Sequence, residues 1–264
     1  MNYQKIKELL IENNLPVNEF TEEDIKTLLT KVHNSNLTIS QLIDLINMLE
    51  KTYDKDQNIR NMKKPQDINS NEYQKIMQEM NRIDDENLVI ITQIIDKYGF
   101  IDNSILTAKA GWILFGALQH ADRHVDIQTY YLPLMQKAVN EGKMNKKNFA
   151  YFIDRIAVNM GFKQIFGTQF RPPNIIPIYD LNNVELFRSI MGLEPLEEYI
   201  QRTNINIDID SITSEITFDY SNKQINTLPQ LHNANISKEK FYEFVLNDLQ
   251  SRSLEIQSSQ NLKQ

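Results

Sequence analysis

The residues best suited to chemistry in this chain are Gln119, His120 and Asp122, which end a long apolar stretch. The stretch reads ILTAKAGWILFGAL from residue 105 to 118, and a helix that is hydrophobic on nearly every face is usually buried. Buried amide, imidazole and carboxylate groups cost free energy unless they have hydrogen-bond partners. These residues therefore predict either a satisfied structural network or the floor of a functional cleft.

His120 is the first candidate for proton transfer, because the imidazole is the side chain that titrates closest to neutral pH. Asp122 and Asp154 could orient it or act with it, so these three are the candidate catalytic residues. Asp154 and Arg155 flank the apolar stripe of a predicted helix, where a charge reaches solvent or a cleft. The alternative is that His120 is a helix-terminal polar group bonded to a neighbouring loop.

Helix geometry separates these residues, which close the predicted central helix. At about 100° per residue, Gln119 and Asp122 share the face of Trp112, whereas His120 points toward the face of Ile113. In this interpretation Gln119 and Asp122 line a cleft, and His120 is a structural residue.

A second set of residues is suited to holding a polar or anionic substrate. The candidates are Asp56, Arg60, Gln119, Gln128, Arg155, Gln164, Thr168 and Gln169. The planar guanidinium of Arg155 can bind two oxygens at once, and amide side chains supply both donors and acceptors. Structural roles stay open: Asp56 and Arg60 are four residues apart and can pair within a helix. Arg155 can pair with Asp56, Asp122 or Glu185, and the glutamines can bridge backbone groups in a loop.

Metal ligation has weaker support, and we predict no metal ligands from the sequence. His120 and His124 are one helical turn apart, a spacing that can hold a metal ion, but the sequence places no third ligand. Metal-assisted hydrolysis would require His120 and at least two carboxylates to converge on one point. The sequence leaves the cofactor unknown.

The composition excludes several classes of protein. The chain has 264 residues, a net charge of -7 and no cysteine, so it has no disulfide, zinc-thiolate site or cysteine nucleophile. The acidic balance argues against nucleic-acid binding, and no glycine-rich phosphate loop occurs. The first residues, MNYQKIKELLIENN, lack the apolar core of a signal peptide, and the longest apolar stretch is too short to span a bilayer. We expect a cytoplasmic protein without a membrane segment.

Apolar residues at helical spacing predict a mainly α protein, a multi-helix single domain with a turn-rich extended segment at residues 164–179. We divide it into an N-terminal helical appendage at 1–50, a helical core at 51–203 and a C-terminal extension at 204–264. The predicted helix starts and ends include a cap at Thr21 with Asp24, a helix capped by Asp84 that stops at Gly99, and a central helix from about Ser104. Further helices are predicted over the apolar stripe at 127–138, with a kink or late start at Pro133, and at 146–160, 184–191, 195–202 and 237–254. A small hairpin is predicted at 205–220.

Seven short blocks in order resemble a bacterial family known only as a domain of unknown function. They are DQNIR at 56–60, YGF at 98–100, QHAD at 119–122, a glutamine at 128, AYFIDR at 150–155, GFKQIFGTQ at 161–169 and RSIMGLEPLEEY at 188–199. The resemblance spans about residues 50–203 and implies family membership with no activity attached. Phe100 stands where the family often has tryptophan and Phe166 where it often has tyrosine, so a hydroxyl role at residue 166 is in doubt.

The clustering of ionisable residues at the ends and edges of buried helices favours a cytoplasmic hydrolase or transferase. His120 with Asp122 or Asp154 would transfer protons, and Arg60 or Arg155 would hold an anionic group. The alternative is a non-catalytic module that binds a small polar ligand or a protein partner. Ionisable residues lying more than roughly 10 Å apart, or buried in closed pairs, would argue against shared chemistry. The oligomeric state stays open.

Overall fold

The computed structural model describes residues 3–13, 15–171, 174–203 and 236–261. Within them the chain forms α1 (Tyr3–Glu12), α2 (Glu22–Asn34), α3 (Ile39–Arg60), α4 (Asn71–Tyr98), α5 (Ala108–Gln119), α6 (Val125–Asn140), α7 (Lys146–Asn159), β1 (Phe170–Arg171), β2 (Asn174–Ile175), α8 (Val184–Ile190), α9 (Leu196–Thr203) and α10 (Lys238–Asn261). The prediction of a mainly α protein is confirmed. In the described part of the chain, no helix is long and apolar enough to cross a membrane.

The predicted start of α2 is confirmed, and that of α4 is wrong. Thr21 accepts a hydrogen bond from the backbone of Asp24, whose side chain bonds back to the Thr21 backbone. Ser70, and not Asp84, caps α4, because the hydroxyl of Ser70 accepts from the Tyr73 backbone and the helix already begins at residue 71. Asp84 therefore lies within α4 and not at its start.

The central helix α5 is buried as predicted, but it is shorter than the sequence interpretation requires. Thr107 caps its start, and His120 is its C-terminal cap residue, with φ -87° and ψ -3°. Because the helix ends at Gln119, Asp122 lies outside it and shares no helix face with Gln119. The assignment of His120 and Asp122 to two faces of one helix is therefore wrong.

Contacts between Cα atoms divide the chain into two compact units. The first unit is Met1–Ala121 with Lys137–Met144, and the second is Asp122–Gln136 with Asn145–Gln264. Helix α3 runs continuously across residue 50, where the sequence places a domain boundary. The division at residues 50 and 203 stays a prediction.

In the first unit, α3, α4 and α5 pack against one another, and α1 and α2 pack as a pair beside α3. Buried aliphatic residues follow one side of α3, among them Leu42, Leu45, Ile46 and Leu49. Asp56 lies on this same helix and is also buried. The packing therefore carries a charged side chain into the interior between helices.

The second unit contains the extended segment that the prolines and glycine predict. β1 and β2 pair antiparallel, with Phe170 opposite Ile175, and Gln164 forms a bridge with Ile178. α7 precedes this segment and ends before Gly161, whose φ of 74° suits a residue without a Cβ. Pro133 lies inside α6. The hairpin predicted at 205–220 lies outside the described residues.

Candidate functional site

Helices α3 and α5 bring His120 and Asp56 together in the first unit. Nδ1 of His120 lies 3.3 Å from Oδ1 of Asp56. One turn further along α3, Nε of Arg60 donates to both carboxylate oxygens of Asp56, at 3.1 Å each. The predicted pairing of Asp56 with Arg60 within a helix is confirmed, and it forms one side of a larger group.

Asp84 of α4 completes this group, and Nη2 of Arg60 donates to its Oδ1. We call Asp56, Arg60, Asp84 and His120 the Asp56 cluster. Ligand atoms of Asp56, Asp84 and His120 lie within 4.8 Å of one another, the convergence that metal-assisted hydrolysis would require. The guanidinium of Arg60 is already bonded to both carboxylates, so this cation would compete with a metal ion for them.

Opposing effects set the charge of Asp56. Its side chain is fully buried, and burial alone would raise its pKa. The hydrogen bonds and positive charges of His120 and Arg60 outweigh this effect and hold the pKa of Asp56 below its usual value. Asp56 is therefore an anion at neutral pH that faces the imidazole.

His120 keeps contact with solvent although its partner does not. Its side chain is 18% exposed, whereas that of Asp56 is 0% exposed. The imidazole also lies beside the Trp112 ring, at 5.6 Å between centroids, and Tyr53 packs edge-on against that indole. A carboxylate behind an imidazole fixes its orientation and stabilises its protonated form, as general acid–base catalysis requires.

The lowered pKa of Asp56 predicts a pH-dependent contribution to stability. Because the folded state holds the carboxylate ionised more strongly than the unfolded state does, this contribution is present at neutral pH and is lost as the pH falls below about 4. We expect Asp56→Asn to be less stable than the native protein at pH 7, and the difference to shrink as the pH is lowered toward 3. Urea unfolding across this range measures it, and a difference that does not change with pH would contradict the assignment.

In the second unit, Arg155 of α7 joins another polar group. Its Nε and Nη2 donate to the two oxygens of Asp122 at 2.7 and 2.6 Å, and its Nη1 donates to Gln169 at 3.0 Å. Asn159, one turn along α7, donates to Asp122 and to the buried Gln128. We call Asp122, Gln128, Arg155, Asn159 and Gln169 the Arg155 network. Arg155 therefore pairs with Asp122, one of the structural alternatives that the sequence left open.

Asp154 occupies a closed site, and the prediction that it lies at the edge of α7 is wrong. It is fully buried and accepts hydrogen bonds from the backbone of Ile165, Phe166 and Thr168 and from the Thr168 hydroxyl, at 2.7 to 3.2 Å. Burial raises its pKa against the effect of these hydrogen bonds. Asp154 lies on a buried side of α7 because the loop after residue 161 covers it. Its contacts fix that loop.

Gln164 bridges backbone groups within the same segment. Its Nε2 donates to the carbonyls of Gln169 and Ile176, and its Oε1 accepts from the Gln169 backbone. Gln164 is fully buried, and Thr168 is nearly so. These contacts match the structural alternative for Gln164, and Thr168 bonds through its backbone and its hydroxyl to Asp154 of α7.

The sequence interpretation did not include Asp84 or Asn159 in a site. Asn159 follows Arg155 by four residues, so helical spacing was the available signal. Asp84 had no such signal because its partner Arg60 belongs to a different helix. Gln119 is the last residue of α5 and is half-buried. His124 is buried and is not among the described groups that could hold a metal ion.

These features define a mainly α protein with polar groups on buried helices. The model of a family of unknown function, DUF6624, matches residues 43–209, and the chain belongs to this family. No curated protein and no solved structure matches the chain. Membership of an uncharacterised family is thereby confirmed. The bacterial origin and the individual sequence blocks stay predictions.

Proposed function

We propose that the Asp56 cluster is the active site of a hydrolase or transferase in which His120 transfers protons. The observation that carries this proposal is the placement of a partly exposed imidazole 3.3 Å from a fully buried carboxylate. In this pair Asp56 orients the ring through Nδ1, and Nε2 exchanges protons with the substrate. Asp56 takes the orienting role that the sequence interpretation gave to Asp122 or Asp154.

Arg60 supports the choice of a polar or anionic substrate. Its Nε and Nη2 hold the two carboxylates of the cluster, and Nη1 has no hydrogen-bond partner within the described residues. The Arg60 side chain is 22% exposed, so Nη1 can donate to an oxygen of a ligand beside His120. Asp122 and Asp154 would then hold structure in the second unit and take no part in the reaction.

The competing function is a non-catalytic module, in which the same residues bind a small polar ligand or a protein partner. A closed network of ion pairs around Asp56 would serve such a module equally well. The cytoplasmic location and the absence of a nucleic-acid partner also stay predictions of the sequence. An activity that is lost when His120 is replaced would support the enzyme, because the binding module requires no catalysis.

The first experiment is a hydrolysis screen with p-nitrophenyl phosphate, bis(p-nitrophenyl) phosphate and a p-nitrophenyl carboxylic ester. We expect turnover of at least one of them by the native protein, with a rate that changes as a group titrates near neutral pH. Because Arg60 already supplies the positive charge, the rate should survive treatment with EDTA, and elemental analysis should find no stoichiometric metal. Activity that disappears with EDTA and returns with a divalent metal would instead indicate metal-assisted hydrolysis. No turnover of any ester would favour the binding module.

A further inference from the structure

A cleft of about 550 Å³ lies between α3 and α4 in the first unit. Lys51 and Lys55 of α3 line it together with Asn87 of α4, and Met48 and Ile90 add apolar surface. The residues that line this cleft exclude those of the Asp56 cluster, although Asp84 lies three residues before Asn87 on α4. The cleft therefore offers polar and apolar side chains that the proposed reaction does not use.

Asn87 is the residue that points to a ligand. Its side chain is 1% exposed, and its Nδ2 has no hydrogen-bond partner in the described part of the chain. A buried donor without a partner costs free energy, so such groups in native proteins call for a specific explanation. A ligand oxygen that enters the cleft would accept from this N–H group.

Two further charges have no ion-pair partner among the described residues, and they lie apart along the cleft. Lys51 is exposed and lines the same cleft as Asn87, whereas Lys55, one turn further along α3, is bonded to Glu86. Asp44 is exposed seven residues before Lys51 on the same helix, which places it about 10 Å away along the helix axis.

The direction of the two helices sets the order of these groups. Lys55 contacts Glu86, and five residues later Arg60 contacts Asp84, so α3 and α4 run antiparallel. Ile90 therefore lies toward the Asp44 end of the cleft from Asn87. The cleft therefore has the Asn87 donor at one end and the Asp44 carboxylate at the other, with Lys51 and the apolar surface of Met48 and Ile90 between them.

We propose that this cleft binds a small zwitterion whose carboxylate and protonated amine are separated by an apolar chain. The carboxylate accepts from Nδ2 of Asn87 and pairs with Lys51, and the amine pairs with Asp44. The chain lies on Met48 and Ile90. The proposal depends on these residues and not on the chemistry of His120.

Binding is tested with 6-aminohexanoate, hexanoate and hexylamine by NMR, using the side-chain amide signal of Asn87 as the reporter. We expect 6-aminohexanoate to shift this signal saturably with a Kd on the order of 10 mM or lower, and to bind more tightly than either of the other two. If hexanoate bound with the same affinity as 6-aminohexanoate, the proposal that the ligand is a zwitterion would be overturned. The absence of saturable binding would overturn the site itself.

Variants test the role of each end of the cleft in binding. Asn87→Leu lacks the reporter signal, so its binding is followed through the backbone amide signals of the residues that line the cleft. It should weaken binding of 6-aminohexanoate about tenfold or more and raise the Tm, because it removes a buried unpaired donor. Lys51→Met, a change at an exposed position, should weaken the same binding, and Lys75→Met on α4 is its matched control. Asp44→Asn should reduce the affinity for 6-aminohexanoate to that for hexanoate.

Unchanged affinity in both Asn87→Leu and Lys51→Met would overturn the proposal. His120→Gln should bind 6-aminohexanoate as the native protein does, so failure of the reaction and failure of this site are separate results.

Discussion

Asp154→Ala is expected to lose about 3–5 kcal/mol of unfolding free energy, because it leaves three buried backbone N–H groups without an acceptor at about 1–3 kcal/mol each. The backbone groups belong to Ile165, Phe166 and Thr168. Urea unfolding at neutral pH measures the loss, and limited proteolysis should show faster cleavage within residues 164–179. Asp154→Asn should also be unstable, since its amide group would face a backbone donor on one side.

Asp44→Asn, a change at an exposed position, is the control for Asp154→Ala and should alter the unfolding free energy by less than about 0.5 kcal/mol. A loss below about 1 kcal/mol in Asp154→Ala would show that the loop does not depend on this carboxylate. Catalysis that persists in Asp154→Asn wherever the protein remains folded would agree with a structural role. Loss of catalysis in folded Asp154→Asn would show that Asp154 takes part in the reaction.

The largest expected effect on activity is that of His120→Gln. On the ester that the native protein hydrolyses, we expect the rate to fall by about 10²- to 10⁴-fold, the usual contribution of a positioned general acid or base. Glutamine can still bond to Asp56 but does not titrate near neutral pH, so the fold should be retained. Steady-state kinetics across pH 5–9 measure the loss, and the pH dependence near neutrality should disappear with it.

His33→Gln is the matched control, because His33 is exposed on α2 and lies outside the Asp56 cluster. Its kcat and KM should equal those of the native protein. Arg60→Lys should raise KM more than it lowers kcat, since lysine keeps the charge and loses the planar fork. A folded His120→Gln protein with full activity would remove the proposed role of this histidine.

Local patterns predicted most of the helices. Periodic apolar residues identify α7, and Thr21 with Asp24 marks the start of α2, because both signals arise within a few neighbouring residues. Asp84 shows where this reasoning stops. An aspartate before an apolar stripe resembles a helix cap, but the helix extends thirteen residues further upstream, to Asn71, with Ser70 as its cap.

Side-chain partners between helices were less predictable than the helices. Asp56 with Arg60 could be inferred from a spacing of four residues, whereas Asp56 with His120 joins residues 64 positions apart. The end of α5 at Gln119 was also decisive, since His120 at the cap position turns toward α3 and not along the face of Ile113. A helix end shifted by a few residues changes every assignment made from its faces.

The most direct test of the His120–Asp56 pair is the protonation state of each imidazole nitrogen, read from long-range ¹H–¹⁵N NMR spectra across a pH titration. We expect the neutral ring to carry its proton on Nδ1, facing Asp56, and Nε2 to be the nitrogen that loses a proton as the pH rises. Asp56→Asn should weaken this preference. A neutral His120 with its proton on Nε2 would contradict the pairing and the acid–base role that depends on it.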